Sequence, residues 1–183
     1  MRKFRAVIVV LKDERTGKEL RLEAQSFIID GYCAPRSGVF LDAVINYGGT
    51  KVKQSAVIMK PYSLKDAEDA ETTARIVIAD FIERLASLMK SLRGSERGRA
   101  AEWRLYVQFW TSRLYYAAQN SDFPLDVLED AARFGQYCEL LRVVFLYFFA
   151  GSEHCYADRL QTIAASLLDC EEVKRRRRLF VTL

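Results

Sequence analysis

Apolar and polar positions follow one rhythm in the first third of the chain and another in the rest. Phe4 to Leu11 is a β-branched stretch, apolar without a break from Ala6 onward, which predicts a buried strand. Glu14, Arg15, Thr16, Gly17 and Lys18 supply turn residues. Leu20–Ile29 opens with period-two alternation, Leu20, Leu22 and Ala24 on one side and Arg21, Glu23 and Gln25 on the other. Gly31 to Gly38 reads as a loop from its Gly and Pro content. Val39–Tyr47 and Lys51–Lys60 flank Gly48-Gly49, a pair able to take positive φ, so they predict a hairpin. Four consecutive strands with short connections imply an antiparallel meander.

Helical periodicity takes over at Ser63. Ser63-Leu64-Lys65-Asp66 resembles a capping box with Asp in place of Glu. Acids follow in the first turns, and Arg84, Lys90 and Arg93 stand near the end before Gly94, which complements the helix dipole. Ile78, Ile82, Leu85 and Met89 form the apolar stripe. A second helix spans about 96–119. A third opens at Ser121-Asp122-Phe123-Pro124 and runs to about Ala150, and a fourth runs from a Ser152 cap to about Glu172. The fold class is α+β: a four-stranded antiparallel sheet followed by about four helices. One globular unit divides into a sheet (1–62), a helical part (63–172) and a basic tail (173–183).

Alternation sorts the strand side chains into two faces. The core face takes Phe4, Ala6, Ile8 and Val10; Leu20, Leu22, Ala24 and Ile28; Val39, Leu41, Ala43 and Ile45; Val52, Ala56 and Ile58. The other takes Arg5, Val7 and Val9; Arg21, Gln25 and Phe27; Phe40 and Val44; Lys51, Lys53, Val57 and Met59. A bulge would exchange the two sets at either end. Cations and rings interleaved on one face suit single-stranded nucleic acid, in which cations track phosphates and rings stack on bases. The candidate contacts are Arg5, Arg21, Arg36, Lys51 and Lys53 for phosphates and Phe27, Phe40 and Tyr32 for bases, with Tyr47 and Tyr62 near strand ends. The competing reading is a half-apolar face covered by helices.

Composition sharpens this picture. The 183 residues carry a net charge of +4, but unevenly. Residues 1–65 hold 12 Lys/Arg against 6 Asp/Glu, residues 66–172 hold 11 against 18, and residues 173–183 hold 5 against none. The basic run Lys174, Arg175, Arg176, Arg177 and Arg178 reads as a phosphate-contacting arm. The apolar Leu179-Phe180-Val181 behind it suggests a tail docked as an added strand on the same or a neighbouring subunit. Asn occurs only at 46 and 120, and Arg outnumbers Lys 19 to 9, which hints at heat adaptation.

Other chemistry is sparse. There is no P-loop, no G-x-G-x-x-G after a strand, no G-x-S-x-G and no H-E-x-x-H. The reading is therefore non-enzymatic, with no cofactor and no metal. Cys33, Cys138, Cys155 and Cys170 form no C-x-x-C pair and His154 is the sole histidine, so buried thiols are preferred to a zinc site. A Cys138–Cys155 disulfide fits a helical hairpin. Glu23, Asp30 and Asp42 are the acids a metal-dependent nuclease would use, against the simpler reading of solvated strand-edge acids. No apolar run is long enough for a membrane span and no signal peptide is evident, which implies the cytoplasm. Trp103, Tyr106, Trp110 and Leu114 form a stripe read first as core. Val143 to Phe149 is apolar all round, so a second copy is expected to cover it, giving a homodimer or tetramer.

Four N-terminal strands over Phe4–Lys60, the Trp103–Tyr116 aromatics and the apolar Val143–Ala150 helix resemble in layout the ThermoDBP-type single-stranded DNA-binding proteins of hyperthermophilic archaea. The resemblance implies oligomers that hold single strands in a cleft lined by rings and cations. The strand order followed by a helix also resembles PUR and Whirly modules, which bind single strands through sheets. Sequence-tolerant binding of single-stranded nucleic acid, DNA foremost, is thus the leading expectation. An oligomeric scaffold subunit of a nucleoprotein complex is the alternative.

Overall fold

The computed structural model describes residues 1–31, 35–60, 64–91, 131–149, 156–169 and 178–182. Strands β1 (Arg2–Lys3), β2 (Val7–Lys12), β3 (Glu19–Ile29), β4 (Arg36–Tyr47) and β5 (Thr50–Lys60) come first. Helices α1 (Ala67–Ser91), α2 (Ala131–Val144) and α3 (Tyr156–Asp169) follow, and strand β6 (Arg178–Thr182) comes last. The class is α+β, with antiparallel strands followed by helices. The sheet runs β5-β4-β3-β2-β6, and β1 also pairs with β3.

Turn chemistry sets the meander. Gly48 and Gly49 both take positive φ, +55° and +82°, so their twist matches the β4–β5 hairpin. Between β2 and β3, Gly17 sits at φ +73°. Asp13 ties that turn together: its N–H donates to the Lys18 carbonyl at 2.9 Å, and its Oδ1 accepts from the Arg15 N–H at 3.0 Å. The Tyr156 hydroxyl at the start of α3 donates to the same Oδ1 at 3.2 Å. Burial pushes the Asp13 carboxyl up, but hydrogen bonds from Thr16, Arg15 and Tyr156 outweigh it and hold the group below the usual carboxylate value.

One expectation about the faces is overturned. Lys3 registers with Phe27, and the Phe4 N–H donates to the Ser26 carbonyl at 2.9 Å. The next registered pair is Val7 with Ala24, so Arg5 and Ala6 together oppose Gln25. This is a β-bulge, braced by the Gln25 side-chain amide, which donates to the Phe4 carbonyl at 2.9 Å. The extra residue reverses the parity of β2. Val7, Val9 and Leu11 face the core with Ala24, Leu22 and Leu20, whereas Ile8, Val10 and Lys12 lie on the other face. Phe4, before the bulge, stays on the core side against Ile28, Leu64 and Ala70.

The helices close the core face. In α1, Ile78, Ile82 and Leu85 are fully buried and Met89 packs against them, as the periodicity predicts. Its cap is Asp66, whose Oδ1 accepts from the Asp69 N–H at 2.8 Å, and Asp69 answers by accepting from the Lys65 N–H at 3.0 Å. Ser63, the expected cap, lies outside the described residues. α1 packs on β3, α2 on β5, and α3 on α1. The Tyr137 hydroxyl of α2 donates to Asp80 of α1 at 2.7 Å, and Arg84 donates to the same carboxylate at 3.0 Å. Lys90 joins α1 to α3 through Asp158 at 3.1 Å.

The apolar run after α2 continues as a π-helical turn, Phe145–Phe149. Val143, Val144, Phe145, Phe148 and Phe149 are buried within this one chain, and only Tyr147 is exposed. The run therefore does not by itself require a second copy, because Phe145, Phe148 and Phe149 pack into the core of this chain. The C-terminal tail adds β6 parallel to β2 of the same chain, with Ile8 opposite Arg178 and Lys12 opposite Thr182. Among the described residues no helix is long and apolar enough to cross a membrane.

Candidate nucleic-acid interface

The helices cover one face of the sheet, and the register defines the other as transverse rows. Lys51, Asn46, Glu19 and Lys12 form the row nearest the hairpin turns. Lys53, Val44, Arg21 and Val10 come next, followed by Ser55, Asp42, Glu23 and Ile8. A fourth row holds Val57, Phe40 and Gln25, and a fifth holds Met59, Gly38, Phe27 and Lys3. Arg36 stands opposite Ile29 at the far end. From Glu19 to Phe27 the face is eight residues long, about 27 Å, and its four strands span about 14 Å. That length matches the low end of the about 4 to 16 nucleotides that one small β-platform holds.

Charge on this face is mixed but unequal. Lys3, Lys12, Arg21, Arg36, Lys51 and Lys53 stand against Glu19, Glu23 and Asp42. Arg21 and Glu23 pair at 2.9 Å, a short link between neighbours on one strand. Lys53 reaches Asp42 only at 3.9 Å and its side chain is 63% exposed, so screening by water leaves it available to another anion. At the turn end Tyr47 is 53% exposed, with the Lys18 ammonium 5.4 Å from its ring centroid, but it shares the parity of Ile45 and so belongs to the helix-covered side of the sheet, not to this face.

The aromatic end has a specific construction. Gly38 stands opposite Phe27, and the Phe27 ring lies in the space its missing side chain leaves. A Cβ at Gly38 would come within 2.6 Å of Phe27 Cζ and 2.7 Å of the Ile58 carbonyl oxygen. Phe27 is in consequence only 1% exposed, and Phe40 packs against it with centroids 4.4 Å apart. Phe27 is therefore a support and not a stacking surface, which corrects its expected role. Phe40 is half-buried and presents the outer ring.

The remaining candidates sort as follows. Lys51 and Lys53 are exposed on adjacent rows of β5, and Arg21 is half-exposed two strands away. Arg36 is exposed at the end of β4, and Arg5 is exposed in the bulge, not in a regular row. Arg178 opens β6, so the last cation of the run is held in the sheet. Tyr32, Arg175, Arg176, Arg177, Tyr62 and the Trp103–Tyr116 stripe lie outside the described residues, as do Cys33, His154, Cys155 and Cys170. The Cys138–Cys155 pairing is untouched for the same reason. Sequence sorting missed Lys12 because its face depends on the bulge, and Lys3 because the strand was read only from Phe4. It also omitted the acids Glu19 and Asp42, which period-two counting along β3 and β4 places on this face beside Glu23.

The nuclease trio does not assemble. Glu23 and Asp42 are cross-strand neighbours, each beside a cation, but Asp30 lies seven residues beyond Glu23, about 23 Å along the strand. No group of three or more His, Cys, Asp or Glu suited to a metal occurs among the described residues. The chain matches no family model, no curated protein and no solved structure.

Proposed function

We propose that this protein binds single-stranded nucleic acid, DNA foremost, on the sheet face that none of the described helices covers, without catalysis and with little regard to sequence. The observation that carries the reading is the division of the two faces. One is closed by helices. The other carries six cations against three carboxylates around a ring, Phe40, that is supported from beneath by Phe27. Phosphates would be drawn by Lys51, Lys53, Lys12 and Arg21, with Arg36 and Arg5 at the far end. Bases would stack on Phe40. Each stacked base contributes about 1–3 kcal/mol whatever its identity, which accounts for the expected sequence tolerance. The resemblance in sequence layout to ThermoDBP-type proteins points the same way.

The scaffold alternative has one observation in its favour. Ile8, Val44, Val57 and Met59 are half-buried apolar positions on the same face, a surface that also suits protein. Phe40→Ala separates the two readings, because it weakens oligonucleotide binding only if Phe40 stacks on bases. Association into dimers or tetramers is a second part of the proposal. It rests on the layout resemblance and on β5, an eleven-residue strand that ends the sheet. Light scattering at micromolar concentration tests it, and a monomer overturns it.

A further inference from the structure

The Phe40 ring is approached from two directions. Phe27 supports it from within the face. The Lys3 ammonium stands 5.1 Å from the Phe40 centroid, a cation–π distance. Lys3 is exposed and is carried by the two-residue strand β1, which ends at the Arg5–Ala6 bulge. Its ammonium is a compact charge on a flexible four-carbon stem, free to swing without moving the backbone.

We infer that Lys3 has two alternating positions on the proposed platform: over the Phe40 ring in the free protein, and on a phosphate once a base has taken the ring. The inference rests on the nucleic-acid reading and adds to it a residue and an order of events. A base stacked on Phe40 needs the space the ammonium fills, so the two cannot share the ring. Displacement does not waste the charge, because a stacked nucleotide brings its own phosphate within reach of the released side chain. Lys3 thus lowers affinity by covering the ring and raises it by meeting a phosphate. Only the second effect weakens as salt is added.

These opposed effects give a signature that a purely structural lysine would not. Removing Lys3 makes the salt slope for a single strand less steep by about 0.7. Uncovering the ring strengthens binding by about 2- to 5-fold, the equivalent of an exposed cation–π contact. Lys3→Ala should therefore bind a fluorescein-labelled oligo-dT about 2- to 5-fold more tightly than wild type near 1 M salt. Near 50 mM it should bind about 2- to 4-fold more weakly. The double-logarithmic plots of the two proteins cross. Lys3→Arg, which keeps both the charge and the ring contact, should follow wild type, and matched urea midpoints check folding. Lines that stay parallel, or a Lys3→Ala protein weaker at every salt concentration, overturn the inference while leaving the nucleic-acid reading in place. A wild-type protein that does not bind the oligonucleotide overturns both.

Discussion

Gly38→Ala tests how the aromatic end of the face is built. The new Cβ would lie 2.6 Å from Phe27 Cζ, 3.0 Å from Phe27 Cε1 and 2.7 Å from the Ile58 carbonyl oxygen. The first two contacts belong to a ring that can tilt, but Phe27 is 1% exposed and Phe40 lies against it, so it has little room. The third belongs to the backbone of the neighbouring strand and yields less. Overpacking of this kind costs about 1–3 kcal/mol. For a chain of this length, 2 kcal/mol lowers the melting temperature by about 4–8 °C. Urea denaturation of the single variants and of Gly38→Ala/Phe27→Leu reads the effect. The smaller side chain removes the ring clash, so the double variant should be more stable than the sum of its parts by about 0.5 kcal/mol or more. Because the displaced ring supports Phe40, oligonucleotide affinity should fall with no change in salt slope. A Gly38→Ala protein within about 0.5 kcal/mol of wild type would refute the reasoning.

Four other variants have expected outcomes. Phe40→Ala should weaken single-strand binding by about 5- to 150-fold, the loss of one stacked base, whereas Phe27→Ala should first cost stability, about 3–5 kcal/mol in urea titration. Lys51→Gln with Lys53→Gln should make the double-logarithmic salt slope less steep by about 1.4, measured by anisotropy, with the fold intact since both side chains are exposed. Asp13→Ala should lose about 1–3 kcal/mol near neutral pH by leaving the Arg15 N–H and Tyr156 hydroxyl without that acceptor. The Asp13 pKa is lowered on folding, so its contribution is present above the ordinary value of 3.8 and is lost as pH falls through its folded value. Stability curves of wild type and variant should therefore converge on acidification.

What the chain discloses in advance depends on whether its period carries information. Leu20 to Ile29 alternates, and its faces are legible to the residue. Gly48-Gly49 specifies its own turn, and the Ile78–Leu85 stripe specifies the buried side of α1. Ala6 to Leu11 is apolar at every position, so either parity satisfies the pattern, and the choice falls to a bulge fixed by Gln25 and Phe4. Phe27 looked like an available ring because nothing local marks it as covered. Its burial comes from Gly38, a residue eleven positions away that becomes its neighbour only through register. The apolar end of the tail announced a docking segment, but its partner strand β2 is a product of topology. The Val143–Phe149 run implied a partner because it is apolar all round, whereas packing within the chain already buries Val143, Val144, Phe145, Phe148 and Phe149.

The central claim is that an open, basic face with a supported ring holds single strands. Its most direct test is an anisotropy titration of the whole protein with labelled single-stranded and double-stranded oligonucleotides of equal length at two salt concentrations. The account predicts preference for the single strand, affinity that falls with salt by about 0.7 logarithmic units per phosphate contacted, and little difference among base compositions. A salt-independent signal of micromolar or weaker affinity with oligo-dT, or equal binding to the duplex, would contradict it.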